Sequence, residues 1–94
     1  MTTEVVHVPE QNRYELRIDG DHAGHIDYRL SGNDLHLTHT EVDKSRREKG
    51  LGAQLVEGAL TQIRSGNDHR VVPDCPFVAH WLTENDGYED LLTR

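Results

Sequence analysis

The switch of hydrophobic period across residues 42–53 constrains this chain more than any other feature. Apolar residues alternate with polar ones before it and recur at helical spacing after it. The join itself is basic and glycine-containing: Val42-Asp43-Lys44-Ser45-Arg46-Arg47-Glu48-Lys49-Gly50-Leu51-Gly52-Ala53. Four of the ten Lys and Arg residues fall between Lys44 and Lys49. Closely spaced glycines let backbone N–H groups approach a ligand without Cβ interference. A helix that begins there offers unsatisfied N–H donors and the positive end of its dipole. Chemically the stretch is an anion cradle, suited to a diphosphate.

On its N-terminal side, Tyr14, Leu16 and Ile18 alternate with Arg13, Glu15 and Arg17. Period two predicts a strand over 13–18 with one buried face. Asp19-Gly20-Asp21 is turn chemistry. Ile26, Tyr28 and Leu30 then alternate with His25, Asp27 and Arg29, and Ser31-Gly32-Asn33-Asp34 closes that strand. Leu35 and Leu37 open a third, completing an antiparallel meander. Strict alternation would add His39 and Glu41 to the face of Leu35 and Leu37, yet the next apolar residue, Val42, has the opposite parity. Either a bulge lies within Thr38 to Val42 or the strand ends near Thr40.

Beyond the loop, apolar residues at 51, 55, 56, 59, 60 and 63 predict one amphipathic helix, ended by Ser65-Gly66-Asn67-Asp68. Val71-Val72 is a short β-branched run without polar alternation, as expected of a buried parallel strand. Pro76 suits the first position of a helix, and Phe77, Val78, Trp81 and Leu82 extend it to about Glu84. Gly87-Tyr88 with Leu91-Leu92 forms a short tail, one further helical turn at most. The 94 residues make a single domain, and 34 % hydrophobic residues make a thin core.

Composition narrows the function. A net charge of −7 disfavours general nucleic-acid binding. One cysteine excludes an intramolecular disulfide and favours a reducing compartment. No apolar run approaches the ~20 residues that span a bilayer, and Met1 to His7 lack a signal pattern. The expectation is a soluble cytoplasmic protein. His36 and His39, three apart on one strand, are expected to face opposite ways. His7, His22, His25 and His69 read as solvent-facing or turn residues. No metal is predicted.

The loop lacks the Gly-Lys-Ser/Thr ending of a P-loop, and Leu55 stands where a dinucleotide fingerprint needs its third glycine. It fits R-x-x-G-x-G through Arg47, Gly50 and Gly52. After a strand and opening a helix, that pattern resembles the cofactor loop of the GNAT acetyltransferase superfamily. Adding His39-Thr40-Glu41-Val42, the run Val72-Pro73-Asp74-Cys75-Pro76-Phe77-Val78 and Tyr88, the chain resembles the small single-domain GNAT-like acetyltransferases, the N-acetyltransferase domain-containing protein family, over about residues 13–92. Asn85-Asp86-Gly87-Tyr88 departs from the His-Pro-Glu-Tyr-like run expected there. The helical pair that larger members place after their first strand is absent.

The resemblance implies an α+β (α/β) minimal GNAT fold, with an antiparallel meander and one parallel strand flanked by two helices. It implies acetyl-CoA or CoA as co-substrate. Backbone groups of Glu41 and Val42 would align the pantetheine arm. Arg47, Glu48, Lys49, Gly50, Leu51, Gly52 and Ala53 would hold the diphosphate. The reaction would be acetyl transfer to an amine, small or protein-borne, with backbone N–H near Val42 stabilising the oxyanion.

Cys75, at the end of a parallel strand and the start of a helix, is a candidate nucleophile or acetyl-pocket residue; its duller reading is a small buried hydrophobe. His39 and Glu41 are candidate general bases, each also readable as a polar strand end. Tyr88 could donate a proton to the leaving thiolate or simply pack. The alternative function is a CoA-binding regulatory module with little or no catalysis; a third is an interaction domain without cofactor. A monomer or a homodimer is expected, with no nucleic-acid or membrane partner.

Overall fold

The computed structural model describes residues 2–43 and 50–94. In chain order the elements are β1 (Thr3–Val8), a 3-10 turn (Pro9–Gln11), β2 (Arg13–Ile18), β3 (Asp21–Ser31), β4 (Asp34–Val42), α1 (Leu51–Gly66), β5 (Arg70–Pro73), α2 (Pro76–Glu84) and α3 (Glu89–Leu92). The strands form one sheet in the order β1-β2-β3-β4-β5. The first four run antiparallel and β5 runs parallel to β4. The meander, the crossover helix and the parallel strand therefore match the α+β expectation.

Two local features set the meander's register. Asp19 (φ 52°) and Gly20 (φ 86°) link Ile18 to its partner Asp21. Two consecutive positive φ values make the tight hairpin whose twist matches its strands. The phase change on β4 is a bulge. Asp27 pairs with His39 while Tyr28 pairs with Leu37, so Thr38 stands extra. The strand does not end at Thr40; it continues to Val42. Because the bulge precedes both, His39 and Glu41 share the outer face of the sheet. It also turns His39 to the side of His36, so the expected opposition of those two histidines does not hold.

β1 was not anticipated. Its adjacent Val5 and Val6 break alternation, so no period marks it. Pairing with β2 along Thr3↔Ile18 to Val8↔Arg13 turns Val5 toward the core, and the Gln62 side-chain amide donates to the Val5 carbonyl.

One core lies between the sheet and α1. The helix buries Leu51, Leu55, Val56, Ala59, Leu60 and Ile63 against Tyr14, Leu16, Ile18, Ile26, Leu35 and Leu37. At roughly 1.5–3 kcal/mol for each large side chain removed from water, this interface dominates the favourable side of folding. The other end of α1 is closed by an arginine. Arg94 Nη1 donates to the carbonyls of Ile63 (3.3 Å), Asn67 (2.8 Å) and His69 (3.1 Å), and Nη2 to that of Arg64 (3.0 Å). Among the described residues, no helix is long and apolar enough to cross a membrane.

The outer face of the sheet carries charged and imidazole side chains. His25, expected to face solvent, is only 9 % exposed. Its cross-strand partners Glu15 and Glu41 flank it, and His22 folds over it, with His22 Nε2 3.1 Å from His25 Nδ1.

Candidate active site

β4 and β5 pair only from Asp34↔Arg70 to Leu37↔Pro73. A last bond joins Cys75 N–H to the Leu37 carbonyl at 2.8 Å. The chain then leaves the sheet through a tight turn at Pro73, with Asp74 N–H bonded to Val72 O at 3.0 Å. Pro76 opens α2, where its missing N–H costs nothing. β4 is held by β3 as far as Val42. Past Leu37 the two strands therefore part, and the edge of β4 from Thr38 to Val42 has no strand partner on the β5 side among the described residues.

Alternation decides which backbone groups face this opening. Asp43 N–H bonds the Ala23 carbonyl on β3 at 2.8 Å. The backbone groups of Thr40 and Val42 therefore point the other way, into the gap, whereas those of Glu41 face β3. The Thr40 N–H is directed at the sulfur of Cys75.

Cys75 caps α2 and lies buried on the core side of the opening. Its Sγ is 3.3 Å from Thr40 Oγ1. Burial pushes the thiol pKa up. Hydrogen bonding from the Thr40 hydroxyl and from the backbone amides of Val78, Phe77 and Thr40 outweighs that and brings it below the ordinary cysteine value. The carboxylate of adjacent Asp74 is 2.8 Å from His36 Nδ1, on the outer face.

The start of α1 borders the same region. Gly50 caps the helix in the left-handed conformation (φ 77°, ψ 17°) and offers no side chain to the first-turn amides of Leu51, Gly52 and Ala53. A Cβ at Gly52 would stand 2.5 Å from Phe77 Cζ. Phe77, 46 % exposed, thus covers the first turn of α1 two residues after Cys75. Arg47, Glu48 and Lys49 lie outside the described residues.

The candidate acid–base residues stand apart from the thiol. His39 and Glu41 are exposed on the outer face of β4, and Glu41 Oε2 is 3.6 Å from His25 Nε2. Tyr88 packs edge-on against Trp81 at 5.2 Å between ring centroids, with the Arg64 guanidinium 5.1 Å above its ring. The described residues contain no group of three or more His, Cys, Asp or Glu side chains that could hold a metal ion.

Sequence reasoning left Thr40, Phe77, His22 and His25 without roles. Thr40 and Phe77 stand inside runs already singled out. The contact of Thr40 with a cysteine 35 positions away carries no local signal. Burial of His25 depends on cross-strand neighbours, which no single-strand pattern reveals.

A search of the curated proteins finds no match to this chain. The family model described as GCN5-related N-acetyl-transferase matches residues 13–91 of the 94. That span takes in β2 to β5, the loop, α1, α2 and Cys75. The chain belongs to the GCN5-related N-acetyltransferase family and is an acyl-transferring enzyme of minimal GNAT architecture.

Proposed function

We propose that this protein transfers the acetyl group of acetyl-CoA to an amine. The observation that carries the reading is the parting of β4 from β5 beyond Leu37↔Pro73, beside the side-chain-free start of α1. An extended thiol arm can add to the free edge of β4 as a strand would, through main-chain hydrogen bonds at Thr40 and Val42. Its diphosphate then meets the amides of Gly50, Leu51, Gly52 and Ala53, where a helix start favours anions. Arg47 and Lys49 supply countercharge and Glu48 completes the loop. Glu41 and Val42 form the section of β4 alongside the thioester. Phe77 shields the passage between the helix start and Cys75.

The chemistry is attack of the amine nitrogen on the thioester carbonyl. The Val42 N–H, turned into the gap, is placed to stabilise the oxyanion. Glu41 and His39 stand on the face from which a base would act. Cys75 lines the acetyl pocket, and direct transfer in a ternary complex is the preferred route.

Incubation with acetyl-CoA and a panel of amines, following CoA release, tests this. Amine-dependent release above hydrolysis is expected. Release equal to hydrolysis for every amine, with CoA binding intact by calorimetry, would return the protein to a binding module.

A further inference from the structure

The core has a second opening, at the other end of the sheet from the parting of β4 and β5. A cavity of about 430 Å3 lies between the sheet and the last turn of α1, and His7, Tyr14, Tyr28, Leu35, Asn67 and His69 line it. Each of the four antiparallel strands gives it a side chain. Its volume lies within the range of small-molecule sites. At 16 residues, α1 is about 24 Å long, so this turn is far from the helix start proposed to hold a diphosphate. Asp43 and Gly50, which flank the undescribed stretch, also stand at that distant end.

Three rings form a fixed corner of the cavity. His7 stacks on Tyr14, with centroids 4.4 Å apart and planes 12° from parallel. Its Nε2 is 2.7 Å from the Tyr28 hydroxyl. Tyr28 leans at 45° to Tyr14, with 5.6 Å between centroids. Packed rings offer flat faces and polarised edges, which suit a flat guest. Burial pushes the Tyr14 hydroxyl up to about 12 and the Tyr28 hydroxyl above its ordinary value. Burial disfavours charge of either sign, so the lining favours an uncharged guest. Glu10, whose charge adds to the rise at Tyr28, and Arg94, bonded to the Asn67 and His69 carbonyls, are opposite in sign.

The helix side of the cavity has two features that packing alone does not explain. The His69 backbone is held, its N–H by Asn67 Oδ1 at 3.0 Å and its carbonyl by Arg94 at 3.1 Å. Its ring is not: Nδ1 is buried and has no hydrogen-bond partner among the described residues. Such a group carries a free-energy cost, which a hydrogen-bonding guest removes once the ring turns toward it. Gly66 also lines the cavity. It lies within α1 without a positive φ that would require glycine. A Cβ there would meet nothing within 4 Å. A larger residue would fit the backbone and close the space, yet the position is bare.

We infer that this cavity is a second ligand site, taking an uncharged planar heteroaromatic molecule of one or two rings. The ring system lies against the corner of Tyr14 and Tyr28, and its N–H or carbonyl groups meet His69 and Asn67. The site does not depend on the acetyltransferase reading, since it shares no residue with the opening between β4 and β5.

The test titrates the isotope-labelled full chain, followed by NMR, with four probes. Nicotinamide and adenine are neutral and planar, nicotinate is charged, and cyclohexanecarboxamide is neutral but not planar. Saturable shifts of the Tyr28, Asn67 and His69 amide signals are expected with nicotinamide or adenine. Affinity should be several-fold lower for nicotinate and for cyclohexanecarboxamide, which bring a charge to desolvate or lose the stacking face. Gly66→Leu should abolish the shifts while Tm does not fall and CoA binding stays as in wild type. His69→Leu should weaken binding about two- to tenfold, the scale of one hydrogen bond. The probe series needs no variant, so a misfolded His69→Leu leaves the test intact. No saturable shift with nicotinamide or adenine overturns the proposal. So does equal affinity for all four probes, binding that survives Gly66→Leu, or shifts confined to Thr40 and Val42.

Discussion

The Cys75 thiol lies 3.3 Å from the Thr40 hydroxyl, across the point where β4 and β5 part. The thiolate form is held by this contact together with amides at the start of α2, against the cost of burial. Thr40→Val keeps the shape and removes the hydroxyl donor. It is expected to raise the Cys75 pKa and cut the thiolate fraction at neutral pH, read by ultraviolet absorbance of the thiolate against pH. An unchanged titration would assign the depression to the backbone amides alone.

Cys75 is buried on the core side of the opening between β4 and β5 rather than on the outer face that carries Glu41. If transfer is direct, Cys75→Ala retains turnover within a few-fold of wild type and forms no labelled enzyme with radiolabelled acetyl-CoA. Acetyl label trapped on wild-type protein, with turnover lost in the alanine variant, would establish an acetyl-enzyme route.

Two glycines of α1 are expected to respond oppositely to alanine. At Gly58 the new Cβ would meet Val5, whose own Cβ stands 2.9 Å away. Val5 is β-branched and anchored in the sheet, so it cannot swing aside. Overpacking of about 1–3 kcal/mol outweighs the ~0.5–1 kcal/mol that alanine gains over glycine in a helix. Gly58→Ala should therefore lower Tm, by about 4–8 °C per kcal/mol in a domain of this size. At Gly52 the obstacle is the tip of Phe77, a half-exposed ring that can turn outward. Gly52→Ala should leave Tm nearly unchanged and weaken CoA affinity in calorimetry, because a methyl group now stands among the first-turn amides.

Acid should unfold the protein in two stages. His25 is held below its ordinary pKa, first by burial and then by Arg13 and His22, against the opposing pull of Asp27 and Glu41. The unfolded chain binds its proton more readily, so stability is full above the unfolded value of about 6.5 and falls as pH drops through the folded one. Glu15, lowered chiefly by its hydrogen bond to Arg17, adds a second loss below about 4.3, the unfolded glutamate value. Denaturant midpoints measured in steps down from pH 7 should fall in both ranges. His25→Gln should abolish the upper stage and spare the lower.

Arg94 closes α1 by donating to four carbonyls at or beyond its last turn. Arg94→Ala should cost about 1.5–3 kcal/mol, the scale of a lost charge-assisted bond, seen as a lower denaturant midpoint at unchanged m. Arg94→Lys should recover little of it, because a single ammonium cannot reproduce the planar fork.

What the sequence determined was whatever depends on near neighbours. Alternation through Tyr14, Leu16 and Ile18 and through Ile26 and Tyr28 marked strands, because period two is a local property of extended backbone. Spacing from Leu51 to Ile63 marked α1 for the same kind of reason. Glycines at 50 and 52 after a basic run announced a helix start open to an anion. The parity conflict at Val42 announced a bulge or a strand end, but not which. Tertiary structure alone chose the bulge and fixed it at Thr38, because register is set by β3 pairing across the strand. That choice moved His39 and Glu41 to the outer face and turned Thr40 and Val42 toward Cys75. Only the fold recruited β1, whose Val5 and Val6 have no period of their own, and buried His25 between two strands' carboxylates. Each is a contact between residues distant in sequence, and the energy of such contacts is written in no single stretch of chain.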